Sequence, residues 1–163
     1  MDLLGLIFEE SLTDPKDVRK GDYIKVESNG SMVTARVMDI SSVKNGKHGS
    51  AKTALNSKII STDSFYQLTH TSNDMVVVCR PTKTTLKLID VEERDGTPIG
   101  SYIGIDNNVQ EIDFARIMSA EHIKDLMKAL KDFDSSKNDI VLKLKAFSDI
   151  CLLDGTEYVP TDA

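Results

Sequence analysis

Gly21-Asp22-Tyr23-Ile24-Lys25-Val26, then Asn29-Gly30, then Met32 through Ile40: these residues decide the fold. Asn-Gly between two apolar-patterned runs signals a two-residue hairpin, because both turn positions take positive φ and these residues bear it with least strain. The pattern predicts an outgoing strand over 21–26 and a return strand over 32–40. Downstream the style repeats. Strand patterning resumes over 51–60, turns near Thr62-Asp63, and returns over 65–69 and 75–79. Pro81 cannot donate to a central ladder and marks a domain boundary. Short strands over 15–80 predict a small SH3-like barrel, preceded by an N-terminal tail over 1–14.

Residues 81–163 differ by one helix. Strands are predicted over 84–91, 99–105 and 109–114, separated by Asp95-Gly96 and Asp106-Asn107-Asn108. Ile123, Leu126, Met127, Leu130 and Phe133 then recur at helical spacing behind Ser119, which suits an N-cap. His122 falls off that face and reads as a solvated helix residue rather than a ligand. Ile140, Leu142, Leu144 and Ala146 alternate with Val141, Lys143, Lys145 and Phe147 as a half-buried strand would. Asp154-Gly155 predicts a last hairpin. Strands, a helix and further strands fit a five-stranded OB-fold barrel. The expected fold class is mainly β: an N-terminal SH3-like barrel, then a C-terminal OB-fold barrel with one α-helix.

A chain of 163 residues with 40% hydrophobic and 28% charged side chains suits one domain or two small ones. No apolar run approaches the roughly 20 residues of a membrane span. The apolar start, Met1 to Phe8, lacks a basic flank and meets Glu9 and Glu10, which argues against a secretory leader. A cytoplasmic location is the default. Cys79 and Cys151, far apart and without metal spacing, read as reduced core residues.

The net charge of −6 is unevenly spread. Residues 1–80 carry ten basic and ten acidic side chains, and residues 81–163 carry ten and sixteen. Within residues 16–58, nine Lys and Arg stand against four Asp and Glu. Such a stretch suits a polyanionic partner while the other lobe stays acidic.

Familiar catalytic motifs are missing. Ser41 stands where a phosphate-binding loop ending at Gly46-Lys47 needs its first glycine. His48, His70 and His122 share no ligand spacing with the cysteines, and neither G-x-S-x-G nor a paired-carboxylate motif occurs. Aromatics are 6% of residues and Trp is absent, which weakens base stacking as a binding mode. An enzyme is not expected, nor a metal or cofactor.

Ser41-Ser42-Val43-Lys44-Asn45-Gly46-Lys47-His48-Gly49-Ser50-Ala51-Lys52 carries the most information. It reads as a long loop over 41–52 between two strands, with glycines on either side of Lys47-His48 to permit a tight tip. Lys44, Lys47, His48 and Lys52 stand there without an acid. Composition alone leaves two readings open, an ordinary solvated hairpin or a cationic finger aimed at phosphate.

Lys44-Asn45-Gly46-Lys47-His48-Gly49-Ser50-Ala51-Lys52 resembles the hypusination loop of the eukaryotic translation initiation factor 5A (elongation factor 5A) family, S-x-S-K-x-G-K-H-G-x-A-K. Arg19-Lys20-Gly21-Asp22-Tyr23 is similar to the basic approach to that family's first strand, and Thr69-His70-Thr71-Ser72-Asn73 to the segment before its second domain. The resemblance is close over roughly 15–80 and architectural over 81–163. It departs at Val43 and Ser50, and over Asn29 to Val37.

The resemblance implies the same two-barrel fold and a non-enzymatic, hypusine-containing translation factor. Lys47 would be the modified residue, with Lys44, Asn45, Gly46, His48, Gly49, Ser50 and Lys52 shaping the loop or contacting RNA or the synthase. Deoxyhypusine synthase would transfer the aminobutyl group of spermidine to Lys47, using its own NAD, and deoxyhypusine hydroxylase would complete the residue. The implied partners are those two enzymes, the ribosome near its exit site, and peptidyl-tRNA. The implied action is peptide-bond formation at stalled, proline-rich sequences and at termination. The residues leave a homodimer open and imply no membrane. The rival reading is a general RNA-binding barrel protein without hypusine dependence, which would carry a basic C-terminal barrel with stacking aromatics.

Overall fold

The computed structural model describes residues 6–44, 51–71 and 74–161. The chain divides between Pro81 and Thr82 into two compact units. The first is an SH3-like sheet of six strands and the second an OB-fold barrel carrying the helix.

In the first unit β2 (Tyr23–Ser28) and β3 (Ser31–Lys44) pair from Ser28–Ser31 to Tyr23–Arg36. Asn29 and Gly30 take φ of 51° and 79°. Two positive φ values give the turn the twist that keeps its flanking strands in contact. The first strand starts two residues later than its sequence suggests, because Gly21 and Asp22 bond to β3 from the side: Gly21 N–H donates to Val37 O and Val37 N–H to Asp22 O, each at 2.8 Å. β4 (Ala51–Ile59) and β5 (Phe65–Thr71) continue the sheet, and β6 (Val76–Arg80) returns beside β2. Val18, Ile24, Val26, Ala35, Val37, Leu55, Ile59 and Val76 form its core.

The sequence reading leaves residues 9–13 in a tail; they form β1 (Glu9–Thr13), paired with β6 from Glu9–Arg80 to Thr13–Val76. Its residues are almost all exposed and polar, so no apolar alternation announced it. It is an edge strand, held by ladder bonds along one side.

The second unit holds two three-stranded sheets, β10-β9-β8 and β12-β11-β7. The strand expected over 84–91 is two pieces, β7 (Thr82–Leu88) and β8 (Asp90–Arg94). The bend at Ile89 keeps its tie to the next strand, because Ile89 N–H donates to Ser101 O at 2.9 Å. β9 (Thr97–Ile103) and β10 (Val109–Asp113) follow, then α1 (Ala120–Leu130), β11 (Asn138–Ala146) and β12 (Cys151–Pro160). Gly100, in β9, lies against two buried side chains of the barrel. A Cβ there would lie 2.8 Å from Leu88 Cδ2 and 2.9 Å from Phe114 Cε2, so only glycine lets those two buried side chains approach.

Ser119 caps α1, its Oγ accepting from His122 N–H at 3.4 Å, and Leu126 is buried on the inner face. His122 is not simply solvated: it is half-buried, and its Nδ1 accepts from Leu153 N–H at 3.3 Å. Asp154-Gly155 is not a hairpin either. β12 runs straight through it, and the register shifts between Lys143 and Leu144, so that Lys143 faces Gly155 and Leu144 faces Leu153. The extra residue is a β-bulge, and Gly155 absorbs it at φ 150°.

β8 and β10 are clamped across β9 by Arg94, whose Nη1 and Nη2 donate to Glu111 at 3.0 and 2.7 Å. These bonds hold the Glu111 carboxyl below the usual carboxylate range. A depressed folded value adds stability that is complete above the unfolded pKa, about 4, and is lost as pH falls through the folded value. Both groups are exposed, so solvent keeps the effect small. The expected result is that Glu111→Gln lowers urea-measured stability at pH 7, and that the gap to the parent closes below pH 4. A gap that widens in acid would contradict the assignment.

Candidate functional site

The arm that carries the motif is built from β3 and β4. Their pairing runs from Ala35–Ile59 up to Lys44–Ala51, and β5 follows along β4 to the Lys52–Thr71 rung. A shift between Val37 and Asp39 re-phases β3. Val37 is buried, Met38 and Asp39 both face out, and Ile40 turns back toward the core. The extra outward residue bends the strand, as bulges do. On β4, Thr53, Leu55 and Ser57 are buried along one face, while the other carries half-buried Lys52, Asn56 and Lys58 and the buried Ala54. The arm is thus anchored by the core at its base and carries basic residues along its outer side.

Lys44 is the last residue of β3, and Lys52, opposite Val43, stands one rung below it on the other strand. The register therefore brings these two expected site residues to the same end of the arm. The loop expected over 41–52 is shorter at both ends, because Ser41 to Lys44 still pair, with Ala54 to Ala51. Asn45, Gly46, Lys47, His48, Gly49 and Ser50 lie outside the described residues, as do Ser72 and Asn73.

Strand pairing also adds a row that linear spacing hides. Tyr23, Arg36, Lys58 and Phe65 stand opposite one another across β2, β3, β4 and β5. Arg36 is exposed. Lys58 lies 5.8 Å from the centre of the Phe65 ring and 3.0 Å from Asp63. Lys25 is buried, its Nζ donating to Thr34 Oγ1 at 2.8 Å, and so serves the fold rather than the outer charge. The nine basic residues of the sequence stretch are therefore not one patch.

Among the described residues no group of three or more His, Cys, Asp or Glu is placed to hold a metal. Cys79 and Cys151 are buried, and no disulfide joins them. Burial, helped by the nearby Asp149 charge, pushes the Cys151 thiol up to about 11, away from the thiolate that nucleophilic chemistry needs. No helix among the described residues is long and apolar enough to cross a membrane.

No protein-family model matches the chain, and no curated protein sequence does. Solved structures do. A translation initiation factor eif-5a family protein from Naegleria fowleri superposes with a TM-score of 0.65 at 16% identity, over 91% of this chain and 98% of that one. Eukaryotic translation initiation factor 5A from Methanococcus jannaschii gives 0.51 at 13% identity, over 91% and 95%. At these identities the likeness is one of fold, and it spans both units. The chain has the two-domain fold of eIF-5A family proteins.

Proposed function

We propose that this chain is a non-enzymatic, hypusine-dependent translation factor acting in the cytoplasm, with Lys47 as the modified residue. One coincidence carries the reading. Gly46-Lys47-His48-Gly49 falls between the two strands of an arm in a fold shared with eIF-5A structures, a fold reached without any sequence match. A short motif on an unrelated scaffold would be weak. The same motif in the sequence between β3 and β4 of this fold is strong.

Lysine is the residue the chemistry needs. Its ε-amine, once deprotonated, attacks the imine made when the synthase's NAD oxidises spermidine, whereas guanidinium stays protonated and delocalised. Diaminopropane leaves, and the NADH so formed reduces the new imine to the amine. The product is a longer chain with two amines. On this reading it extends toward the acceptor end of peptidyl-tRNA in the ribosome, while Lys44 and Lys52 flank its base and meet backbone phosphate. The ribosome, peptidyl-tRNA, deoxyhypusine synthase and deoxyhypusine hydroxylase are the proposed partners, and the factor itself holds no cofactor.

The test is peptide mass mapping of the protein isolated from its own cells. Lys47, alone among the fifteen lysines, should carry an added aminobutyl group, with one further oxygen where hydroxylation follows. Unmodified Lys47 in active protein refutes the proposal.

A further inference from the structure

The second unit is the acidic half of the chain, yet the β7–β11 face gathers lysines. Lys83 on β7 stands directly opposite Lys145 on β11, and on the next outward rung Thr85 stands opposite Lys143. Directly opposed side chains sit about 5 Å apart at Cβ, and diagonal ones roughly 7–8 Å. Like charges so placed destabilise a sheet. Asp154, 3.8 Å from Lys145, offsets part of this repulsion. Among the described residues neither Lys83 nor Lys143 has a carboxylate partner. The three lysines against one acid leave a local charge of +2 (3 − 1) in a lobe of −6 (10 − 16).

The patch has a shape and an end. Lys83, Thr84, Thr85, Lys143, Leu144 and Asp154 line an open groove of about 430 Å³. The bulge in β12 puts Gly155 across from Lys143, and a Cβ there would lie 3.6 Å from Lys143 Cδ, so the lysine stem lies along the bare backbone. One rung further, Lys87 is matched by Asp139 at 3.3 Å and Val141 faces Glu157, which closes the cationic stretch. No aromatic residue stands on these rungs.

We infer that the groove lined by Lys83 and Lys143, with Lys145 across the strand from Lys83, is a second RNA contact, binding the phosphate backbone without reading sequence. Phosphate relieves the Lys83–Lys145 repulsion, the Thr85 hydroxyl adds a donor, and the missing aromatics remove base stacking. Screening over roughly 8 Å at physiological salt keeps the lobe's other acids from cancelling so local a site. The choice of RNA over another polyanion rests on the translation-factor reading; the site itself rests on strand register and charge.

The test uses the full chain with Lys47 unmodified, so hypusine cannot contribute. Fluorescence anisotropy follows an end-labelled single-stranded RNA of roughly 16 nucleotides across a salt series. Lys83→Gln/Lys143→Gln should reduce the slope of log affinity against log salt by about 1.4, roughly 0.7 for each lost contact to a single strand, and weaken binding about tenfold or more at low salt. Lys124→Gln/Lys128→Gln, exposed on α1, makes the same change in net charge and should leave the slope unaltered. Equal losses in both variants, or none in the first, overturn the inference. Competition by polyglutamate as effective as by RNA overturns the RNA assignment. If Lys47→Arg proves harmless in translation while the groove variant still loses RNA, the hypusine reading fails and the groove stands.

Discussion

Lys47→Arg should leave the protein folded and abolish its action on a proline run. The pairing of β3 with β4 ends at Lys44–Ala51, and Thr53, Ala54, Leu55 and Ser57 are buried lower on the arm. Arginine at position 47 keeps the charge and disturbs none of these rungs. A stability change of at most about 0.5 kcal/mol is expected, the usual range for substitutions away from core, cap or buried pair. The functional loss is expected to be near-complete, because arginine cannot accept the aminobutyl group and its planar head cannot stand in for an extended diamine. The measurement pairs a thermal melt with reconstituted translation of a polyproline reporter. Reporter output at the no-factor level, with an unshifted melt, is the predicted result. Full output from the variant would reduce Lys47 to an ordinary phosphate-contacting cation.

Phe114→Ala should be the most damaging single core change in the second unit. Phe114 is fully buried in the turn between β10 and α1, where its carbonyl accepts from Ile117 and Met118 N–H at 3.2 and 3.0 Å. Its ring closes against Gly100, where a Cβ would lie 2.9 Å from Cε2. Phe→Ala in such a setting costs about 3–5 kcal/mol, from lost transfer energy and the cavity left behind. Whole-domain stabilities are about 5–15 kcal/mol, so the unit should be close to unfolding at 37 °C. Urea unfolding followed by far-UV circular dichroism measures the loss. A change below about 1 kcal/mol would mean the site collapses around the missing ring, contrary to the packing seen at Gly100.

The fold was largely legible where local chemistry left one option. Asn29-Gly30 and Asp95-Gly96 both take positive φ, and both are two-residue hairpins, Ser28–Ser31 and Arg94–Thr97. Ser119 caps the helix its spacing predicts. Reading failed where one local signal serves two structures. Asp-Gly marks a hairpin at 95–96 and a bulge at 154–155, and only pairing with β11 distinguishes them. β1 carries no apolar signal because an exposed edge strand needs no apolar face, and the bond from Leu153 N–H to His122 joins residues 31 apart in sequence. The site divides in the same way. The proposed Lys47 rests on a motif contiguous in sequence, whereas Lys83 and Lys145, 62 residues apart (145 − 83), become neighbours only through strand register.

β1 and β6 have a mechanical consequence. Glu9 pairs with Arg80 and Thr13 with Val76, so the chain enters and leaves the first unit at the same end of one antiparallel pair. Tension between residues 8 and 81 does not shear that pair; it opens the rungs in succession from Glu9–Arg80, as a zip opens. Each rung then carries the load alone, and β1 peels away before force reaches the hairpin of β2 and β3. A pull on the chain would shed the outer strand at low force and leave the motif-bearing arm on an intact β2–β5 sheet.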